Sequence, residues 1–258
     1  MMKAFMGMAL ILHMLALLLR FLRRPRLGFM SFLAASLICL VIVGLDWAAA
    51  GQPPFSSMHH VMLVLGGCAL PAYAVLVLGR GLTWMTPAFP LAGAIPLVMA
   101  LVFRRDEAWH LAPALQSPWF VPHVIAYMIS YSLALIAFLL LAAGFIRKSV
   151  SDRSFDAAKL ETGSYEILSI AFPLMTFGML SGALWANQIW GDYWSWDSKE
   201  TWSLITWFLY LCYFHCRKHG ALRRHANLAH ALAFLAMLTT FLLVNLLPKL
   251  ASKLHSYV

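Results

Sequence analysis

Residues 122–146 read PHVIAYMISYSLALIAFLLLAAGFI, a stretch without one Asp, Glu, Lys or Arg. A helix of that length rises about 37 Å at 1.5 Å per residue, more than the roughly 30 Å hydrocarbon core of a bilayer. The stretch therefore predicts a membrane-spanning helix. Working outward, further apolar runs at about 4–20, 28–47, 59–79, 86–103, 164–184, 200–216 and 226–247 bring the expectation to about eight transmembrane helices. Composition points the same way: 62% of residues are hydrophobic and 11% charged, against about 45–50% and about 25% in soluble domains. Mean hydropathy is +0.78. The expected fold class is all-α, a polytopic integral membrane helical bundle forming a single transmembrane domain over residues 1–258. At about 20 residues each, eight spans use roughly 160 residues, which excludes an appended ATPase or Rossmann domain.

The formal charge is +9, from 19 Lys+Arg against 10 Asp+Glu. In a soluble protein this would suggest nucleic acid as a partner; here the basic residues sit between apolar runs and read as topology signals, the lipid bilayer being the partner. Alternating the loops puts 13 of the 19 on one side: Arg20, Arg23, Arg24, Arg26, Arg80, Arg147, Lys148, Arg153, Lys159, Arg217, Lys218, Arg223 and Arg224. That side is expected in the cytoplasm, with both termini outside, the protein in the cell inner (cytoplasmic) membrane and its functional face periplasmic. The run Ala4–Leu19 lacks a small-residue cleavage site and is followed by basic residues, so it reads as a retained span rather than a signal peptide. The four cysteines, Cys39, Cys68, Cys212 and Cys216, lie in apolar runs and form no Cys-x-x-Cys pair, which argues against disulfides and a cysteine zinc site.

Three outward loops have distinctive content: Arg104–Val121, Trp185–Lys199 and the tail Pro248–Val258. The loop at about 185–202 reads WANQIWGDYWSWDSKETW and, with Trp207, holds six of the ten tryptophans. An interfacial aromatic belt is the plainer reading, but belts scatter over many helix ends. Concentrated indoles at Trp185, Trp190, Trp194, Trp196 and Trp202, mixed with Asp197, suit a platform for a large planar apolar ligand. His123 and His255 flank that platform on the same expected face, and neutral imidazole is an axial ligand of haem iron. The pair fits a porphyrin held by two imidazoles, with iron bound through haem only. A bare metal site would call for carboxylates or thiols.

These residues also carry a resemblance. The run GDYWSWDSKETWSLITW at 191–207 resembles the tryptophan-rich WWD signature of haem-handling membrane proteins, specifically the CcsA/ResC-type cytochrome c biogenesis proteins of system II. Leu115–Phe138, with Trp119 and His123, and Val244–Tyr257, with its His-Ser-Tyr end, extend it over the C-terminal half. The resemblance implies binding and export of haem b, presented outside for thioether attachment to the Cys-x-x-Cys-His of an apocytochrome c. It implies a cytochrome c synthase (haem lyase) complex with a CcsB/ResB-type partner, aided by thiol-reducing proteins. It gives His123 and His255 as outer haem ligands, and His215 as the ligand of a second, inner station.

From residues alone His215 divides between such a ligand and a snorkelling histidine beside Arg217; it lies 13 residues, about 20 Å, below Trp202. His13 and His230 are intramembrane and so functional candidates by default, but the family's second inner histidine is expected from the partner. His59 and His60 depart from the family pattern. Lys199, Lys249 and Lys253 are the outward cations for haem propionates. No nucleophile or acid–base dyad stands out, so catalysis is expected from positioning and control of iron redox state. Rival readings are a haem permease, a CcmC-like haem chaperone without synthase activity, and a quinone-linked subunit with bis-histidine haem.

Overall fold

The computed structural model describes residues 2–55, 57–103, 115–149 and 157–243. His255, Lys249 and Lys253 lie outside the described residues. The described chain is helical and multi-pass: seven segments are long and apolar enough to cross a membrane. It divides into two compact units, residues 1–116 and 117–258.

In the first unit, α1 (Met2–Phe21) and α2 (Pro25–Ala50) form an antiparallel hairpin. The turn between them holds Arg23 at φ 57°, and Pro25 starts α2 because it needs no N–H donor there. Ser31 donates its hydroxyl to the Leu12 carbonyl at 3.1 Å. A Cβ at Gly28 would stand 3.0 Å from the Ala16 carbonyl, so glycine permits the close approach. After Gly51 ends α2 in the left-handed region at φ 65°, α3 (Met58–Gly67) begins at its Ser57 cap. The apolar run expected at 59–79 is not one regular helix. It continues as α4 (Ala69–Tyr73) and a π-helical segment Ala74–Gly79; Pro71 lacks the N–H that a regular ladder would use. A short 3₁₀ turn, Thr83–Met85, leads to α5 (Ala88–Val102).

His59 and His60 are buried in this unit. The His59 Nδ1–H donates to the Ala100 carbonyl at 2.7 Å. His60 bridges the Ser57 hydroxyl, 2.7 Å from Nδ1, and the Asp46 carboxylate, 3.3 Å from Nε2. Together they fasten α3 to α2 and α5.

In the second unit, α6 (Phe120–Ser149) and α7 (Ala157–Trp190) pack antiparallel along most of their lengths. Ser164 reaches the Ala137 carbonyl at 3.4 Å. Helix α7 runs past the expected end at 184, so the stretch read as a loop from 185 to 202 has three parts. Trp185–Trp190 are the last turns of α7, Gly191–Asp197 link, and Ser198–Trp202 open α8 (Ser198–Lys218). Gly191, at φ 84°, stops α7, and the Asn187 amide donates to its carbonyl at 3.1 Å. A 3₁₀ segment, Gly220–His225, connects α8 to α9 (Ala226–Leu238), which ends in a π-helical segment, Thr239–Leu243.

Helix α8 is not among the seven apolar segments. Its sequence explains why: Lys199, Ser203, Thr206, Tyr210, Tyr213 and Arg217 recur at helical spacing on one face. Thr206, Tyr210 and Tyr213 on that face are buried, facing protein rather than lipid.

Candidate haem-handling site

The Trp-rich end of the second unit is built around His123, in the first turn of α6. Its Nδ1 lies 2.7 Å from the Gly178 carbonyl on α7. A carbonyl only accepts, so Nδ1 carries the proton and Nε2 presents its lone pair, the tautomer an iron ligand requires. The ring fits because α7 offers no side chain opposite it. A Cβ at Gly182 would stand 2.6 Å from His123 Nδ1, and one at Gly178 would stand 2.9 Å from the Tyr127 ring. The Gly178-Met-Leu-Ser-Gly182 spacing is a small-xxx-small pattern that could have flagged this contact from sequence.

Aromatic rings fix the imidazole on its other sides. Tyr127 meets it nearly edge-on at 5.0 Å between centroids, and Trp185 at 5.7 Å. Trp185 is only 2% exposed and contacts Phe120 at 5.4 Å and Trp190 at 5.2 Å. It therefore supports His123 from within the packing rather than offering an open face. The exposed indole belongs to Trp196, 70% exposed and held at φ 60°. A bulky residue in the left-handed region costs about 1–2 kcal/mol, and such strain gathers at functional positions. Trp194 meets Trp196 edge-on at 6.0 Å, and its indole N–H, shielded from solvent, has no acceptor among the described residues. That donor suits a carboxylate at the wet edge of a planar ligand. Trp202 is half-buried in the first turns of α8.

The link between α7 and α8 is ordered by a reciprocal cap. Asp197 accepts from the Glu200 N–H at 2.8 Å. Glu200 accepts from the backbone N–H of Ser195 at 2.7 Å and of Asp197 at 3.3 Å, and from the Ser195 hydroxyl at 3.0 Å. Asp197 therefore shapes the backbone carrying Trp194 and Trp196. Beside it, Lys199 is half-buried. Burial pushes its amine down to about 7, the Asp197 carboxylate opposing the shift.

The opposite end of α8 carries His215, exposed on the helix surface. Its Nδ1–H donates to the Leu211 carbonyl at 2.8 Å, again leaving the Nε2 lone pair. Exposed Ile205, Phe208 and Cys212 share its stripe, so His215 faces away from the other described helices of its unit. Nearby, Arg217 pairs with Glu161 of α7 at 2.6 Å. His230 is 1% exposed, enclosed by Tyr213 at 5.5 Å, Tyr210 at 6.1 Å and Phe138 at 6.4 Å. In the first unit His13, fully buried, lies where a Cβ at Gly93 would stand 2.5 Å from its Cε1. Neither ring has a face open to a porphyrin. Among the described residues no cluster of three or more His, Cys, Asp or Glu could hold a bare metal ion.

Residues 1–251 match the family described as Cytochrome C assembly protein. The cytochrome c biogenesis protein CcsA of Chlamydomonas reinhardtii is 33% identical over 238 residues, covering 86% of this chain and 66% of its own length. The CcsA of Guillardia theta is 33% identical over 267 residues, covering 90% and 85%, and that of Synechococcus elongatus is 31% identical over 288 residues, covering 90% and 87%. The likeness thus extends well beyond the tryptophan-rich signature and the C-terminal half, into the first 110 residues. With a multi-pass helical fold and a match from residue 1 to residue 251, the chain belongs to the cytochrome c assembly protein family, as a CcsA-type protein of cytochrome c biogenesis.

Proposed function

We propose that the protein takes haem b at the His215 end of α8 and presents it at the Trp-rich end, where it is joined through thioether bonds to the Cys-x-x-Cys-His segment of an apocytochrome c. The observation that carries this reading is His123: a ring-packed imidazole whose Nδ1–H is committed to the Gly178 carbonyl and whose Nε2 carries the lone pair. His255, Lys249 and Lys253 complete the proposal from the tail, His255 as the second outer ligand and the lysines with Lys199 as cations for the propionates. The exposure of His215 supports a second inner ligand from another chain, a CcsB/ResB-type membrane partner, because no other described imidazole shares its stripe. In this arrangement the protein is the haem-handling part of a cytochrome c synthase in the inner membrane, its Trp-rich end periplasmic. The chain's own contribution is ligation, orientation and exclusion of water around the iron.

The test is an absorption spectrum of the protein purified with its partner, paired with cytochrome yield in a host lacking its own pathway. The parent should show reduced, six-coordinate low-spin haem. His123→Ala should keep some haem at the inner station but lose synthesis, with added imidazole restoring part of it; His215→Ala should lower total bound haem. If His215→Ala keeps full haem and full synthesis, there is one station and transport fails as an explanation. Stable haem without any covalent product would favour the permease or chaperone reading.

A further inference from the structure

The end of α1, the turn after it and the start of α2 carry Arg20, Arg23, Arg24 and Arg26, and their charge has no counterpart nearby. Residues 2–103 hold one carboxylate, Asp46, which is buried against His60 and lies about 30 Å from Arg26 by the rise of α2. None of the four arginines has an acidic partner among the described residues. Capping α1 does not occupy their side chains either. The backbone N–H groups of Leu22, Arg24 and Arg23 already donate to its last carbonyls, those of Leu18, Leu19 and Arg20, at 2.9, 2.8 and 3.0 Å.

At this turn the helices leave an open groove of about 300 Å³. Its walls include Arg20 from α1, Pro25, Gly28 and Phe29 from α2, Thr86 just before α5 and Pro90 within it. Gly28 lets the walls approach, since a Cβ there would stand 3.6 Å from the Arg20 backbone nitrogen. Phe29 is braced by Tyr73, stacked on it at 5.1 Å. No side chain caps α2, and no acid stands in its first turn. That turn, one wall of the groove, therefore keeps open N–H donors and the positive end of the helix dipole. Phe21, Leu22 and Leu27, in the same turn region, are exposed. A free phosphate ion would give up its water to one guanidinium among mostly apolar walls, which costs more than it returns. A phospholipid brings both an anion for the arginines and an apolar body for the walls.

We propose that this groove binds one anionic phospholipid. Its phosphodiester pairs with the Arg20 guanidinium and the open N–H groups of the first turn of α2. Arg23, Arg24 and Arg26 supply the surrounding positive field, and the acyl chains lie along the apolar outer faces of α1 and α2. The bound lipid ties the α1–α2 hairpin to the start of α5. The site goes beyond haem handling and does not depend on it, so the two readings stand or fall separately.

The experiment strips lipid from the full chain in a neutral detergent and titrates it with phosphatidylglycerol, phosphatidylcholine or inorganic phosphate. Native mass spectrometry counts the bound molecules, and a thermal melt reads the stabilisation. The parent should take up one phosphatidylglycerol at least about 10-fold more tightly than phosphatidylcholine, and phosphate at the same concentration should leave the melt unmoved. Arg20→Gln should weaken phosphatidylglycerol about 10-fold, the loss of one charge-assisted hydrogen bond. The exposed pair Arg24→Gln/Arg26→Gln, which breaks no contact in the fold, should also weaken it about 10-fold; this pair decides the matter if Arg20→Gln does not fold. Arg224→Gln removes one exposed charge from the basic segment Gly220–His225 of the other unit and should change affinity less than about twofold at 0.15 M salt. Parent-like affinity in Arg20→Gln or in the exposed pair overturns the proposal. Equal weakening by Arg20→Gln and Arg224→Gln overturns it in favour of diffuse surface charge. Equal binding of phosphatidylcholine, or equal stabilisation by inorganic phosphate, overturns the assignment to an anionic lipid.

Discussion

Replacing Gly182 by alanine tests the geometry of His123 with the least chemical change. The new methyl group would stand 2.6 Å from Nδ1 and 2.7 Å from Cε1 of the imidazole, inside any permissible contact. Backbone on α7 cannot retreat from α6 without disturbing a long interface, so the ring moves and its 2.7 Å bond to the Gly178 carbonyl breaks. Overpacking costs about 1–3 kcal/mol and the lost hydrogen bond about 0.5–1.5 kcal/mol. Alanine's higher helix propensity offsets about 1 kcal/mol. The net destabilisation is about 0.5–3.5 kcal/mol, which the bundle survives. The effect on the site is larger in proportion, because releasing the second hydrogen bond of a ligating histidine costs about 10- to 100-fold in metal affinity.

The assay is haem titration of detergent-solubilised protein, read beside a thermal melt. Gly44→Ala on α2 is the control, since nothing lies within 4 Å of a Cβ there; it should leave haem affinity unchanged and raise stability by up to about 1 kcal/mol. Parent-like affinity in Gly182→Ala, or equal weakening in Gly44→Ala, would refute the assignment of His123 as a ligand held through α7.

Asp197→Ala removes the acceptor of the α8 cap and should cost about 0.5–2 kcal/mol, with faster proteolysis between 191 and 197 and lost haem retention. Asp197→Asn, an equally good cap, should restore both; if it does not, the carboxylate charge rather than the cap is what matters. Glu161→Ala leaves Arg217, 10% exposed, without its partner at 2.6 Å, and should lower stability by about 1–3 kcal/mol. Arg223→Ala, which removes a 57% exposed partner at 3.5 Å, should cost less than about 1 kcal/mol. Similar melting shifts for the two would show that burial does not set the strength of these pairs.

Much of the fold was legible because lipid is a severe solvent. The charge-free run at 122–146 could only be a helix, and α6 covers it entirely. The C-terminal turns of α7 were not legible. Trp185–Trp190 contain Asn and Gln among tryptophans, a composition that reads as a loop, and the ring stacking of Phe120, His123, Trp185 and Trp190 that keeps them helical is tertiary. His123 was readable as a candidate from its flanking aromatics. Its carbonyl partner was not, because Gly178 lies 55 residues away and acts through its backbone. His60 looked like a departure without a role; the structure gives it one, between Ser57 and Asp46.

The low hydropathy of α8 follows from the work its two faces do. Its inward stripe gives up apolar character to Ser203, Thr206, Tyr210 and Tyr213, side chains that lipid would penalise but packed neighbours accept. Its outward stripe of Ile205, Phe208, Cys212 and His215 is exposed on this chain alone, and a bare imidazole in hydrocarbon is costly enough to call for a ligand or a partner helix. The two ends are about 20 Å apart by helical rise, too far for one porphyrin to touch both. In the proposed arrangement a rigid helix with the Asp197–Glu200 cap at one end and His215 at the other sets the spacing of the two stations without fixing a path between them. The inward stripe packs on His230, 5.5 Å from Tyr213 and 6.1 Å from Tyr210 between ring centroids, so the proposed path would run along the outward stripe. In the arrangement proposed above, a partner chain covering that stripe would be part of the conduit as well as the source of a ligand.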